Sequence, residues 1–247
     1  MAPRKQKPLL FLVVAVFVAL FATNGWSANF EKGWHEFTFK EYGRAAEEWM
    51  PLAEQGHAKA QFMLAAMYYD GAGVSQDYNQ AARLYRLSAE QGMALAQHAL
   101  GAMHEKGLGV PKDEQEALKW YRLAAEKRYV LSEHALAVIY EEGRGVPQDF
   151  KEAAQWYRCA AKQGYAAAQN NLGLLYYQGR GVKQDYREAL KWFRLAAQQE
   201  VAQSQFLIGW MHYKAVGVRQ NLWKARKWFR LAAQQGLTVA QTQLNLL

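Results

Sequence analysis

Residues 166–185 read AAAQNNLGLLYYQGRGVKQD, and this stretch contains the features that decide the fold. It ends in the signature G-x-G-V-x-x-D. The V-x-x-D part of that signature occurs four times, each copy 36 residues after the last, at Val74–Asp77, Val110–Asp113, Val146–Asp149 and Val182–Asp185. A fifth copy, Val218–Asn221, keeps the spacing and replaces the aspartate with asparagine. Repeats of this length are typical of stacked helix pairs, which present an extended binding surface.

Each repeat is predicted to contain two helices joined by a glycine turn. Ala168 and Leu172 belong to a stripe at helical spacing, and Gly179 ends this first helix because glycine adopts a positive φ at low cost. Asp185 then caps the second helix, with Glu188 at the capping-box position. Asp113 with Glu116 and Asp149 with Glu152 repeat the box, and Asp77 with Gln80 is a close variant. Each cap is expected to contribute about 1 kcal/mol.

Three further side-chain types recur at the repeat spacing in the second helices. Tryptophan occurs at Trp120, Trp156, Trp192 and Trp228, and we place Tyr85 and Trp49 in the same register, as core residues between helices. The only cysteine, Cys159, shares its register with Leu87, Leu123, Leu195 and Leu231, which predicts a small buried hydrophobic residue; an intermolecular disulfide is the alternative. Arginine occurs at Arg86, Arg122, Arg158, Arg194 and Arg230, which predicts a solvated face, with an acidic partner as the alternative.

The consensus A-x-A-Q-x-x-L-G-x-x-Y-x-x-G-x-G-V-x-x-D-x-x-x-A-x-x-W-x-x-x-A-A-x-x-G resembles the Sel-one-like repeats, relatives of the tetratricopeptide repeats. The resemblance covers five units over residues 58–236. It implies an all-α, right-handed superhelical solenoid of stacked antiparallel helix pairs. Residues 29–56 are predicted to form a degenerate N-terminal capping repeat, and residues 237–247 a C-terminal capping helix. The fifth unit has Ala215 in place of the first loop glycine and loses the capping box through Asn221 and Lys224, so we expect it to be looser.

The N-terminal residues 1–28 have the pattern of a secretory signal peptide. Arg4, Lys5 and Lys7 precede an apolar run of 14 residues from Leu9 to Ala22, which is shorter than the ~20 residues of a membrane span. We therefore expect a periplasmic or secreted protein, with an uncleaved N-terminal anchor as the alternative.

The charge of the chain gives little support to nucleic-acid binding. Without the signal segment, 27 basic and 22 acidic residues remain, so the net charge falls from +8 to +5. This is a mild excess without a dense basic block, and we expect no nucleic-acid partner.

No catalytic or metal-binding motif is evident in the sequence. The six histidines are scattered among repeat positions, and we expect neither a metal nor a small-molecule cofactor. Versions of this repeat with paired cysteines are linked to β-lactam binding or hydrolysis, but this chain has one cysteine and no Ser-x-x-Lys. A cell-wall hydrolase or β-lactamase-like enzyme is the alternative to a binding protein, and a purely structural spacer is a third class.

Helix geometry predicts which face of the first helices is left for a partner. If Ala60, Leu64 and Tyr68 point inward, positions 62 and 69 point outward at 100° per residue, on the expected concave side. Extended to all units, this face contains Phe62, Tyr69, His98, Glu105, His134, Glu141, Asn170, Asn171, Leu174, Tyr177, Phe206, Trp210 and Tyr213. Its three aromatic residues in the fifth unit are expected to anchor a partner, unless the terminal helix or the curl of the solenoid covers them.

The remaining residues of this face suggest polar recognition. Asn170, Asn171 and Glu141 are expected to make polar contacts, and Glu105 and Glu141 with His98 and His134 suggest an acidic, mildly pH-sensitive groove. The predicted function is a non-catalytic scaffold or adaptor that binds a segment of a partner protein in the cell envelope. Similar exported proteins imply envelope signalling, regulation of surface polymers or motility, or host contact.

Overall fold

The computed structural model describes residues 28–247, so the predicted signal segment lies outside the described residues except for its last residue. Every regular element in this range is an α-helix. The thirteen helices of the described range are α1 (Ala28–Thr38), α2 (Tyr42–Glu54), α3 (Ala58–Asp70), α4 (Tyr78–Glu90), α5 (Ala94–Lys106), α6 (Glu114–Glu126), α7 (Val130–Glu142), α8 (Phe150–Lys162), α9 (Ala166–Gln178), α10 (Tyr186–Gln198), α11 (Ala202–Lys214), α12 (Leu222–Gln234) and α13 (Thr238–Asn245).

Two compact parts divide the described chain, residues 28–129 with α1–α6 and residues 130–247 with α7–α13. Within each part, every helix packs against the helix before it and the helix after it. The second helix of one pair therefore contacts the first helix of the next pair. The predicted fold class, an all-α solenoid of helix pairs with a 36-residue repeat, is confirmed.

The aspartate of the signature caps the second helix, as predicted. Asp185 Oδ1 accepts hydrogen bonds from the backbone N–H groups of Arg187 at 2.8 Å and Glu188 at 3.0 Å. Asp77, Asp113 and Asp149 each make the same two bonds at the start of α4, α6 and α8. In the fifth unit, Asn221 still accepts from the N–H of Lys224 at 2.8 Å, so this helix loses the carboxylate and keeps a cap.

The glycines of the signature have two different roles. Gly179 ends α9 in the left-handed conformation with φ 70°. Gly181 has φ 67°, and a Cβ atom there would lie 2.1 Å from the carbonyl carbon and oxygen of Phe150, the first residue of α8. Gly109 approaches the carbonyl oxygen of Tyr78 in the same way. The second glycine is therefore a contact between repeats, because it lets the loop lie against the start of the preceding second helix.

The glutamine of the A-x-A-Q motif joins adjacent helix pairs. Gln169 Nε2 donates to the carbonyl oxygen of Ala161 at 3.2 Å, while its Oε1 accepts from Gln199 Nε2 at 3.0 Å. Gln61 and Gln205 make the equivalent two bonds. These side chains are nearly fully buried, so each bond satisfies a polar group that has no access to water.

The prediction that Cys159 is a buried residue is wrong, because its side chain is exposed. Leu87 and Leu195, which share its register, are each 37% exposed. This position follows the fully buried Tyr157 by two residues, about 200° around the helix, and therefore lies on the outer side of α8.

The arginine ladder contacts the next repeat in at least two places. Arg158 Nη2 donates to the hydroxyl of Tyr176 at 2.9 Å, and Arg86 Nη2 lies 3.5 Å from His104 Nε2. At these positions the guanidinium groups link a second helix to the following first helix. The predicted solvated face is nevertheless present, since Arg86, Arg122, Arg194 and Arg230 are exposed and Arg158 is half-buried.

The chain ends carry additional helices beside the five matched units. At the N-terminal end, α1 and α2 form a pair in which Phe30 stacks on Trp49 with ring centroids 5.5 Å apart. Pro51 lies inside α2, which nevertheless has the same 13-residue length as the later second helices. At the other end, α13 packs against α12. The assignment of both ends as solenoid caps stays a prediction.

The turn after α11 offers a stabilising substitution. Ala215 occupies the C-cap with φ 57°, where Gly71, Gly107 and Gly179 stand in other repeats. A residue with a Cβ atom pays about 1 kcal/mol or more in this conformation. We expect Ala215→Gly to raise the free energy of unfolding by about 1 kcal/mol, measured by urea denaturation. As a control, Ala102→Gly inside α5 should lower it by about 1 kcal/mol, and a loss of stability in both variants would contradict the prediction.

Candidate protein-binding face

A row of buried aromatic side chains on the second helices lies beneath the predicted face. Its members are Trp49, Tyr85 and Tyr121 in residues 28–129, and Tyr157, Phe193 and Phe229 in residues 130–247, each at most 2% exposed. They follow one another every 36 residues. Trp49 and Tyr85 thus belong to this row and stand one position after the tryptophan register to which the sequence analysis assigned them. The spacing of these six residues was a readable signal that we missed.

Phe62 is not available to a partner, which corrects the prediction. Its side chain is 1% exposed and lies 5.6 Å from the ring of Tyr85, measured between centroids. The first position of the face therefore turns toward the second helix of its own pair. Tyr69, two turns later on α3, is half-buried and meets Tyr78 edge-on at 5.2 Å.

In α5, the two predicted residues occupy a shared aromatic environment. His98 lies between Tyr121 and Tyr129, with ring centroids 5.3 and 5.2 Å away. Burial lowers the pKa of His98 to about 4. Glu105 Oε2 accepts a hydrogen bond from the Tyr121 hydroxyl at 2.7 Å. The buried tyrosine therefore holds both polar residues of this repeat.

The next repeat has the same arrangement in α7 and α8. His134 lies between Tyr157 and Tyr165 at 5.6 and 5.0 Å, and burial lowers the pKa of its imidazole. The Tyr157 hydroxyl donates to Glu141 Oε2, and burial together with this bond raises the pKa of Tyr157. The hypothesis of a face that titrates between pH 5.5 and 8 is wrong for His98, since its pKa lies below that range.

A chain of hydrogen bonds continues from Tyr157 into α9 and α11. Asn171 Nδ2 donates to the Tyr157 hydroxyl at 3.1 Å, and Asn170 Nδ2 donates to Asn171 Oδ1 at 3.1 Å. Ser204 Oγ completes the chain by donating to Asn170 Oδ1 at 2.7 Å. Asn170 is 5% exposed, so its predicted contact with a partner is wrong, and its amide links two repeats.

The apolar end of the face lies on α9 and α11. Leu174 and Tyr177 are partly buried against the core that contains Phe193. In α11, Phe206 rests on Phe229 at 5.4 Å and stacks with Trp210 at 6.2 Å.

Tyr213 adds a third ring, tilted against that of Trp210. Its ring lies 5.9 Å from that of Trp210, and the Lys214 ammonium lies 5.1 and 4.9 Å from the two ring centroids. Phe206, Trp210 and Tyr213 are each half-buried, so each ring retains some surface that water reaches.

Among residues 28–247, no cluster of three or more histidine, cysteine or acidic side chains has the geometry to hold a metal ion. Over the same residues, none of the helices combines the length and apolar character needed to cross a bilayer.

The repeat length, the helix pairs and the glutamine and glycine contacts between them define a solenoid of the tetratricopeptide-like class. The sequence profile of the Sel1 repeat matches residues 58–93, 94–129, 130–165, 166–201 and 202–237. The chain therefore belongs to the Sel1 repeat family, whose members are generally non-catalytic and mediate protein–protein interaction.

Two solved structures are similar over most of this chain. A protective antigen with an SLR fold from uropathogenic Escherichia coli is 33% identical over 95% of this chain, with a TM-score of 0.85. That alignment covers 50% of the antigen, so this chain spans half its length. A Sel1 repeat protein from Oxalobacter formigenes is 34% identical over 89% of this chain and 87% of its own, with a TM-score of 0.79. Among curated proteins, none is significantly similar to this chain.

Proposed function

We propose that this protein is a non-catalytic scaffold or adaptor of the cell envelope that binds an extended segment of a partner protein. The observation that carries the proposal is the row of Phe206, Trp210 and Tyr213 on α11. Three adjacent half-buried aromatic side chains that keep surface in contact with water indicate a binding site, because aromatic residues dominate the energetics of protein interfaces.

The row is also preorganised for binding. Phe229 supports Phe206 from the core, and the ring contacts of Trp210 with Phe206 and Tyr213 fix the orientation of each ring. A partner would therefore bury apolar surface with little loss of side-chain entropy. Leu174 and Tyr177 extend the apolar surface onto α9, while Asn171 and Glu141 supply polar groups beyond it.

The envelope location rests on the N-terminal sequence. A basic segment followed by a short apolar run supports export. The similar Escherichia coli protein is described as a protective antigen, and we extend an exported location from that description to the present chain.

A peptide selection tests the binding proposal directly. Peptides would be selected from a random library on the purified protein, and their affinities measured for the wild type and for Trp210→Ala. We expect at least a tenfold loss of affinity, since removal of an aromatic anchor costs about 2 kcal/mol.

The matched control is Trp223→Ala on α12. Trp223 is 71% exposed and lies outside the proposed face, so its removal should change affinity less than threefold. Equal losses in the two variants, or peptides that bind both with unchanged affinity, would assign binding to another surface.

A further inference from the structure

The positive charge of the chain is unevenly distributed. Residues 201–247 contain six lysine and arginine residues and no aspartate or glutamate. Residues 28–200 contain 21 basic and 22 acidic residues, so their net charge is −1. The whole positive excess of residues 28–247 therefore lies on α11, on α12 and on the turn between them. Charge asymmetry of this kind indicates a negatively charged partner.

Half of these six cations share one face of α12 with a tryptophan. A stripe at the spacing i, i+3, i+4 and i+7 follows one side of a helix, and in α12 its members are Trp223, Arg226, Lys227 and Arg230. All four side chains are exposed, whereas Ala225 and Phe229 on the other side of the helix are 0% exposed. The stripe is named here the outer face of α12.

Trp223 is the apolar member of this face. Its side chain is 71% exposed, more than any other large hydrophobic side chain that the structure describes. The same register in the four preceding repeats holds polar or charged residues, namely Asn79, Gln115, Lys151 and Arg187. The position therefore faces water in each repeat, and packing within the fold does not account for an indole there. An amphipathic ring of this kind suits the boundary between water and lipid.

The outer face of α12 also lacks the carboxylate that neutralises its counterpart in the fourth repeat. In α10, the Lys191 ammonium lies 3.3 Å from the Glu188 carboxylate. Lys227 occupies the register of Lys191, but Lys224 replaces the glutamate. The Lys227 ammonium lies 5.8 Å from the centroid of a Trp223 ring instead. A cation that is paired within its own helix in the fourth repeat is thus available to an external anion in the fifth.

We infer that the outer face of α12 docks on the surface of an anionic phospholipid bilayer. Its cations complement the negative headgroups, and each strengthens attachment about fivefold. Trp223 places its ring at the level of the headgroups, as aromatic residues on basic amphipathic helices do. A soluble acidic polymer would contact the cations and leave the indole in water, so the exposed tryptophan favours a bilayer. The outer face contains no residue of the aromatic row on α11, so the inference is independent of partner binding there.

Sedimentation of the full chain with lipid vesicles tests the inference. Vesicles of phosphatidylcholine mixed with phosphatidylglycerol are compared with vesicles of phosphatidylcholine alone. We expect a higher affinity for the anionic vesicles, which falls as salt is added because exposed charges are screened. The basic and apolar N-terminal segment is common to the wild type and all variants, so differences between variants report on α12.

The decisive variant is Trp223→Ala with Lys227→Gln, and both replaced side chains are exposed, so we expect it to fold with unchanged helicity. Its affinity for the anionic vesicles should be at least about tenfold weaker than that of the wild type. The matched control is Gln115→Ala with Lys119→Gln, which occupies the same two registers on α6 and makes the same change in net charge. The control should alter affinity less than about threefold.

Trp223→Ala alone separates a bilayer from other acidic partners. We expect it to weaken binding to anionic vesicles about fivefold, through loss of the ring from the interface. An unchanged affinity would make the face a general anion-binding surface and overturn the inference. Equal losses in the decisive and control variants, or equal binding of the wild type to neutral and anionic vesicles, would overturn it too. Trp210→Ala should leave vesicle binding unchanged, so this inference and the proposed function fail separately.

Discussion

Replacing Gly181 with alanine should lower the free energy of unfolding by about 3 kcal/mol, the largest effect that we expect from a single methyl group in this protein. Two costs add. Alanine at φ 67° requires the left-handed conformation, which costs about 1 kcal/mol, and the new Cβ atom overlaps the carbonyl group of Phe150, where overpacking costs a further ~2 kcal/mol. The overlapped atoms belong to the backbone of α8, so no side-chain rotation relieves the contact.

The control for this substitution is Gly164→Ala. Gly164 also has a positive φ of 90°, but a Cβ atom there meets nothing within 4 Å. Its register tolerates side chains elsewhere, since Arg128 and Glu200 occupy it with φ 61°. We expect a loss of about 1 kcal/mol for Gly164→Ala in urea denaturation followed by circular dichroism. Equal losses in the two variants would show that the contact between repeats is unimportant.

The sequence predicted those features of the fold that depend on neighbouring residues. The cap at Asp185 and the left-handed turn at Gly179 follow from local backbone chemistry. Both features recur along the chain at the 36-residue spacing of the repeat. The second glycine was harder to interpret. Gly181 is required because the loop approaches the backbone of Phe150, 31 residues earlier, and the local sequence does not reveal this contact.

The orientation of each helix face was less predictable. The repeat register shows that Cys159 and Leu195 occupy equivalent positions. It does not show whether that position faces the core or the solvent. Phe62 is buried although His98 and Phe206, which share its register, are half-buried, so the choice of face alone does not explain its position. The burial of Phe62 depends on Tyr85 of the other helix in its pair, and no pattern within α3 indicates that contact.

In each of the two compact parts, the predicted face residues fall at two positions of the first helices, which form two rows with different roles. The first row, which includes Phe62, His98 and Phe206, rests on the buried aromatic row of the second helices. The second row, which includes Glu105 and Tyr213, lies about two turns farther along the same helices. In the second and third repeats the buried tyrosine binds the glutamate of the second row, so a substitution in the core would also move a residue of the face.

The environment of His98 makes stability depend on pH. Its folded-state pKa of about 4 lies below the unfolded value of about 6.5. Between these values the unfolded chain binds a proton that the folded protein does not, so stability is fully present above pH 6.5 and is lost as the pH falls toward 4. A difference of this size corresponds to about 3 kcal/mol. Burial is its main cause, while Glu105 acts in the opposite direction by raising the pKa and Lys106 lowers it further.

We expect His98→Phe to remove this acid sensitivity. Phenylalanine stands in the same register at Phe62 and Phe206, where it packs on the buried aromatic residue of the second helix. Urea denaturation at pH 7.5 and pH 4 should show that the variant loses about 3 kcal/mol less than the wild type over this range. His134→Phe should change the slope in the same direction, since burial lowers the pKa of that histidine too. Parallel pH profiles for the wild type and His98→Phe, or an NMR titration of the His98 ring near pH 6.5, would show that the imidazole is solvated in the folded protein.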